Sequence, residues 1–127
     1  MAKVLIIDDS SSSRALLKGI LASIGAATCE AADGEEGLRV LRAEKPVDLV
    51  LLDWHMDKMD GPAFLKVVRA DPELMATRIM MVSAESNPYH VRDAIQLGLN
   101  GYILKPFNRQ VVLERMTAVL GAAPAPA

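Results

Sequence analysis

Four short stretches of the chain are continuously apolar: Val4–Ile7, Leu49–Leu52, Ile79–Val82 and Tyr102–Leu104. They show no polar alternation, as expected of strands buried on both faces of a parallel sheet. A weaker run, Ala26–Ala31, fills the gap between the first two and reads as an edge strand. The intervening segments carry helical spacing instead. Leu16, Leu17, Ile20, Leu21 and Ile24 form one stripe, Leu38 and Leu41 a second, and Phe64, Leu65 and Val68 a third. Val91, Ala94 and Ile95 form a fourth, and Val112, Leu113, Met116, Val119 and Leu120 a fifth. Each stripe predicts one core-facing side of a helix. Helix starts are marked by Asp33 with Glu36 three residues on, by Pro62 after Gly61, and by Asn87 before Pro88. These are a capping box and two prolines placed in first turns.

The order is therefore β-α repeated five times. Strands separated by helices pair in parallel, and right-handed crossovers put helices on both faces of the sheet. The expected fold class is α/β: a doubly wound (βα)5 domain with a five-stranded parallel sheet. One domain over residues 1–120 is expected, followed by a flexible Ala/Pro tail over 121–127 that is too poor in side chains to bury surface.

The polar residues that interrupt the apolar runs supply the chemistry. The first strand ends in Asp8-Asp9, the third in Asp53, the fourth in Ser83 and the fifth in Lys105-Pro106. In an open parallel sheet the C-terminal strand ends share one edge, where ligands bind at the topological switch point. Taken singly, a strand-end aspartate is a cap or turn residue, Ser83 a polar terminus and Lys105 a solvated lysine. Their joint appearance at successive strand ends argues for one crevice. Three carboxylates there repel one another unless a cation neutralises them. Oxygen donors without a His/Cys set point to Mg²⁺, which takes one or two carboxylates, keeps several waters at about 2.1 Å, and commonly binds phosphate too. An Asp carboxylate can act as the nucleophile and form an aspartyl phosphate. Lys105 would pair with a carboxylate or an added phosphoryl group, and Ser83 could donate to a phosphoryl oxygen.

Composition sets limits on the rest. In 127 residues, 51% hydrophobic, there is enough apolar material for a core without staples. A single cysteine, Cys29, excludes an internal disulfide and fits a reducing compartment. Fourteen basic against sixteen acidic residues, net charge −2, lack the basic stripe of a nucleic-acid binder. The apolar run after Met1-Ala2-Lys3 is too short for a signal-peptide core or a membrane span. A cytoplasmic protein with no nucleic-acid or membrane partner is expected.

Asp8-Asp9, Leu51-Leu52-Asp53-Trp54, Met59-Asp60-Gly61, Val82-Ser83-Ala84 and Gly101-Tyr102-Ile103-Leu104-Lys105-Pro106-Phe107 together resemble the receiver domains of two-component response regulators. The likeness is greatest to the stand-alone chemotaxis regulators and runs from Val4 to about Leu120. The resemblance implies a flavodoxin-like sheet of order 2-1-3-4-5. It implies that Asp53 is the phospho-acceptor, that Asp9, Asp53 and the backbone carbonyl of His55 hold Mg²⁺, and that Asp8 acts mostly through water. Lys105 would serve the phosphoryl group, Ser83 would bond it, Tyr102 would change rotamer as Ser83 moves, and a cis peptide is expected before Pro106. His55 and Glu85 occupy positions that vary in the family and affect dephosphorylation, with a plain solvent-exposed side chain as the equal alternative at each. The partners implied are a histidine kinase, a phosphatase, and a downstream protein docking on the fourth helix, fifth strand and fifth helix, here Pro88–Leu97, Tyr102 and Gln110–Leu120. The expected product is a monomeric signalling switch, in chemotaxis or related signalling, that catalyses only its own phosphorylation and dephosphorylation.

Two other readings stay open. One is a phosphorelay intermediate or phosphate sink. The other, of a different class, is a Mg²⁺-dependent phosphatase with an Asp nucleophile, but the second acid such enzymes place two residues on is here His55. Asp57 stands where the family usually has proline, which predicts a more mobile loop with added negative charge. Met56, Met59, Met80, Met81 and Met116 read as packing residues, and Cys29 and His90 receive only structural readings.

Overall fold

The computed structural model describes residues 2–121; the tail expected over 121–127 lies, apart from Gly121, outside the described residues. Five strands, β1 (Lys3–Ile7), β2 (Ala27–Ala31), β3 (Leu49–Leu52), β4 (Ile79–Ser83) and β5 (Gly101–Leu104), alternate with five helices. The helices are α1 (Ser11–Ala22), α2 (Gly34–Glu44), α3 (Gly61–Ala70), α4 (Pro88–Gln96) and α5 (Arg109–Leu120). All strand pairs are parallel and the sheet order is β2-β1-β3-β4-β5. That is the order implied by the family resemblance; the apolar pattern alone gave the parallel alternation but not the order.

Two-residue periodicity within each strand divides the core. Leu5, Ile7, Val50, Leu52, Ile79 and Met81 face α2, α3 and α4, where Leu41, Phe64, Leu65 and Val68 meet them. Val4, Ile6, Leu49, Leu51, Met80, Val82 and Ile103 face α1 and α5, where Leu17, Leu21, Val112 and Met116 complete the opposite layer. A fully buried aliphatic side chain stabilises the fold by about 1.5–3 kcal/mol, so these two layers carry most of the driving force.

The helix starts follow the local signals. Asp33 caps α2 by accepting from Glu36 N–H (2.9 Å), while the Glu36 carboxylate accepts from Ala32 N–H (3.1 Å). Asn87 caps α4 with Pro88 in its first turn, and Asp60 caps α3 ahead of Pro62.

Several expectations are corrected. Leu16 and Ile95, assigned to core stripes, are 54% and 57% exposed. Ile24 lies beyond the end of α1, whose C-cap is Ser23. The fifth apolar run is not buried on both faces: β5 is an edge strand, Tyr102 is half-buried, and Leu104 is 45% exposed. A short apolar run cannot distinguish a central strand from an edge that keeps one apolar side chain outside. Met80, Met81 and Met116 are buried, and Met56 and Met59 pack against the core.

Candidate functional site

Sheet order reverses between β1 and β3, and the residues that follow these two strands lie side by side. The register pairs Ile7 with Leu52, and Asp53 N–H donates to the Ile7 carbonyl at 2.8 Å. This extra rung sets Asp53 next to Asp8. Both are buried, at 8% and 1% exposure, while Asp9 is exposed. One carboxylate oxygen from each of Asp8, Asp9 and Asp53 can be chosen so that all lie within 4.8 Å of one another.

The carboxylates of Asp8 and Asp53 are each held by the local chain. Asp8 Oδ1 accepts from Ser10 N–H at 2.8 Å, Ser10 itself capping α1. Arg14, one turn into α1, donates to the Asp8 carbonyl and reaches Glu30 Oε1 on β2 at 3.1 Å. Asp53 Oδ1 accepts from Trp54 N–H at 2.8 Å. The start of α3 packs directly against this segment: a β-carbon on Gly61 would lie 2.8 Å from the Asp53 carbonyl and 2.6 Å from the Trp54 ring. Gly61 therefore allows an approach that a side chain would block.

Lys105 follows β5, its N–H donating to the Ser83 carbonyl at 2.8 Å. Its Nζ is 2.9 Å from Asp8 Oδ2 and 3.8 Å from Asp53 Oδ2. The Lys105–Pro106 peptide is cis. Burial pushes the Asp53 carboxyl above its ordinary value, and the neighbouring Asp8 charge adds to this; Lys105 and the Trp54 N–H pull the other way, and Asp9 raises it again. Desolvation and like charge thus win over one ammonium.

The donor set fits a hard cation. All three side chains offer oxygen, and the ligand oxygens of one octahedral Mg²⁺ stand about 3–4.2 Å apart, given metal–oxygen distances of about 2.1 Å. The triad, its oxygens within 4.8 Å of one another, is slightly wider than that and would draw in around the ion.

Ser83 ends β4 and is buried, its Oγ accepting from Glu85 N–H at 3.2 Å. Tyr102 donates its hydroxyl to the Glu85 carbonyl, and burial raises the Tyr102 pKa. His55 and Glu85 meet at the rim, Nε2 to Oε2 at 3.8 Å. Asp57 lines an acidic pocket with Asp9 and Asp60, and the next two residues, Lys58 and Met59, have positive φ of 46° and 61°. Holding two consecutive non-glycine residues there costs energy that the surrounding contacts must offset; the Met59 carbonyl, accepting from Gly34 N–H at 3.1 Å, is one of them. Sequence reasoning missed Arg14 and the contact of His90 Nδ1 with the Glu85 carboxylate. Neither had a local signature.

The fold and the strand-end site together define a receiver domain. The profile of the response regulator receiver domain matches residues 4–117, and the chain belongs to that family. It is 38% identical to the chemotaxis protein CheY of Pseudomonas aeruginosa over 118 residues, covering 92% of this chain and 94% of that protein. It is 37% identical to the chemotaxis protein CheY1 of Helicobacter pylori, covering 94% and 97%. Among solved structures, the chemotaxis response regulator CheY4 of Vibrio cholerae superposes with a TM-score of 0.88 at 34% identity, covering 94% of this chain and 99% of that one. A CheX–CheY–BeF3–Mg²⁺ complex from Borrelia burgdorferi gives 0.86 at 34% identity, covering 93% and 88%. The chain is thus a CheY-like receiver, consistent with two-component signalling in chemotaxis. Among the described residues, no helix is long and apolar enough to cross a membrane.

Proposed function

We propose that this receiver is a phosphoryl-accepting switch in which Asp53 takes a phosphoryl group from a histidine kinase and the change is read by a partner protein on α4, β5 and α5. The observation that carries this reading is the state of Asp53: buried, pushed toward neutrality by burial and Asp8, and left with Lys105 nearer to Asp8 than to itself. A carboxylate in such surroundings is poorly stabilised as an anion and gains from acquiring a cation or a covalent partner.

Asp9 and Asp53, with the His55 backbone carbonyl and with Asp8 acting through water, would hold Mg²⁺, and the ion would supply the charge compensation that lets an anionic donor approach three carboxylates. Asp53 supplies the attacking oxygen: its new P–O bond forms as the donor's bond to phosphorus breaks, and the donor's imidazole leaves with the electron pair. Lys105 neutralises the added charge and Ser83 donates its hydroxyl to a phosphoryl oxygen. His55 and Glu85 border the approach of the water that later removes the group. The reading treats residues 1–120 as one receiver unit acting within the cytoplasm. The complex of the Borrelia relative with CheX, BeF3 and Mg²⁺ supports a switch of this kind that engages another protein.

Acetyl phosphate should label the protein only with Mg²⁺ present, and Asp53→Asn should abolish the label. Equal labelling of that variant, or labelling in excess chelator, would remove Asp53 or the metal from the scheme.

A further inference from the structure

The chain contains two histidines, and both face the same carboxylate. His55 lies in the β3–α3 loop with its Nε2 3.8 Å from Glu85 Oε2; His90 lies on α4 with its Nδ1 against Glu85 Oε1. Each imidazole therefore takes a different oxygen. The Glu85 side chain is only 16% exposed, whereas His55 and His90 are 68% and 54% exposed. The carboxylate is turned inward and the two rings stand outside it, open to solvent.

Two of these three groups are held in place. The Glu85 N–H donates to Ser83 Oγ at 3.2 Å, and its carbonyl accepts from the Tyr102 hydroxyl. His90 sits in the first turn of α4, pinned by Asn87, which accepts from Tyr89 N–H at 2.9 Å through its side chain and from Val91 N–H at 3.1 Å through its carbonyl. Both rings line a groove of about 310 Å³ between α3 and α4, where Asp60 and Asp93 outnumber the one lysine, Lys66. One protonated imidazole would suffice to neutralise Glu85. A second ring on the other oxygen, brought from a different segment, is surplus to an ion pair and supplies what a metal takes: nitrogen and oxygen donors converging from several segments.

We propose that His55, Glu85 and His90 form a second metal site, for a divalent transition ion such as Zn²⁺. Imidazole nitrogen suits Zn²⁺, Ni²⁺ and Cu²⁺, whereas Mg²⁺ prefers carboxylate and water, so the site differs in chemistry from the all-oxygen group of Asp8, Asp9 and Asp53. Two histidines and a carboxylate, with a water in the fourth position, make a tetrahedral zinc set with metal–nitrogen distances of about 2.0–2.1 Å. Among the described residues only the aspartate triad has three ligand atoms already within 4.8 Å of one another. The second site therefore closes on its ion by rotation of His55, the more exposed ring. Once closed, it ties the β3–α3 loop to the start of α4. The site does not depend on Asp53 accepting a phosphoryl group.

The test is a calorimetric titration of Zn²⁺ into the full chain, with Mg²⁺ saturating the aspartate triad. One zinc site should appear, and the ring C–H resonances of both histidines should shift by NMR with the same stoichiometry. His55→Ala and His90→Ala should each weaken binding by roughly tenfold or more, since even an outer partner of a metal ligand is worth about 10- to 100-fold in affinity. Both rings are more than half exposed, so their removal leaves the core intact. Asp53→Asn and Cys29→Ser should bind this zinc within about twofold of the wild type, which separates the site from the triad and from the lone thiol. No zinc uptake in the presence of Mg²⁺, uptake that survives loss of both histidines, or uptake abolished by Asp53→Asn or Cys29→Ser would each overturn the proposal.

Discussion

The ammonium of Lys105 lies 2.9 Å from Asp8 Oδ2 but 3.8 Å from Asp53 Oδ2. Lys105 therefore screens the triad from the side of Asp8 and leaves Asp53 only partly compensated. It would also compete with a metal for the same carboxylates. At separations of about 5–6 Å, repulsion between an ammonium and a divalent ion is roughly 1–2 kcal/mol even in a water-like medium. Lys105→Met should accordingly bind Mg²⁺ about tenfold more tightly by calorimetry, while phosphorylation no longer shifts the α4–β5–α5 face. Unchanged or weaker Mg²⁺ binding would mean that Lys105 organises the site rather than opposing the ion.

Asp53 makes the apo fold less stable than it could be. Its folded pKa is raised, chiefly by burial and by Asp8, so the folded state holds the proton more tightly than the unfolded chain does. The sign follows by linkage: the contribution is fully present below the unfolded carboxyl pKa and is lost as pH rises through the folded value. At neutral pH and without metal, Asp53→Asn should melt higher by several degrees, each kcal/mol being worth about 3–6 °C in a domain of this size. Mild acidification from neutral toward the folded pKa should stabilise wild type more than the variant. A variant that melts lower, or an identical pH response, would contradict this electrostatic penalty. Saturating Mg²⁺ should narrow the gap by stabilising wild type preferentially.

Trp54 reports on the same carboxylate. It is 6% exposed, and its N–H donates to Asp53 Oδ1 at 2.8 Å, so a metal or phosphoryl group drawing on Asp53 alters the surroundings of the sole tryptophan. Its fluorescence should change saturably with Mg²⁺, and Asp53→Asn should lose most of that response. A flat titration with binding confirmed by calorimetry would refute the coupling.

Much of this arrangement was legible in the sequence because strand interiors and strand ends differ in polarity. Val4–Ile7 followed by Asp8-Asp9, and Leu49–Leu52 followed by Asp53, locate both the buried strands and the edge where their chemistry gathers. Asn87-Pro88 and Asp33 mark helix starts for reasons confined to a few residues. What was not legible depends on distant partners. Leu104 has the composition of a core residue yet is 45% exposed at the end of the edge strand β5, where its face of the sheet is left uncovered. His90 and Glu85 are five residues apart, and only the bend from the β4–α4 loop into α4 brings their side chains together. Arg14 gains its place from Asp8 and Glu30, which precede and follow α1.

The last prediction concerns transmission from the site to the partner face. The family resemblance implies that Tyr102 changes rotamer as Ser83 moves; in the structure both residues also hold Glu85, Ser83 Oγ at its N–H and Tyr102 at its carbonyl. A phosphoryl group brings roughly −1.5 to −2 charges, judged from other phospho-residues, with strong acceptor oxygens that compete for the Ser83 hydroxyl. Once Ser83 turns, the Glu85 N–H loses its partner and the loop segment bonded to Tyr102 is free to shift, carrying the start of α4 with it. That loop would then be the two-state element such a switch requires. Inverting its balance from about 1:99 to 99:1 takes roughly 5.5 kcal/mol, and a smaller bias gives partial activation. Ser83→Ala should still be phosphorylated on Asp53 yet show weakened NMR shift changes around Tyr102 and Val91–Leu97. Tyr102→Phe should keep the changes near Ser83 and lose those at the start of α4. If phosphorylated Ser83→Ala moved that face as fully as wild type, the route through Glu85 would be wrong, and the signal would have to leave the site through Lys105 and β5 instead.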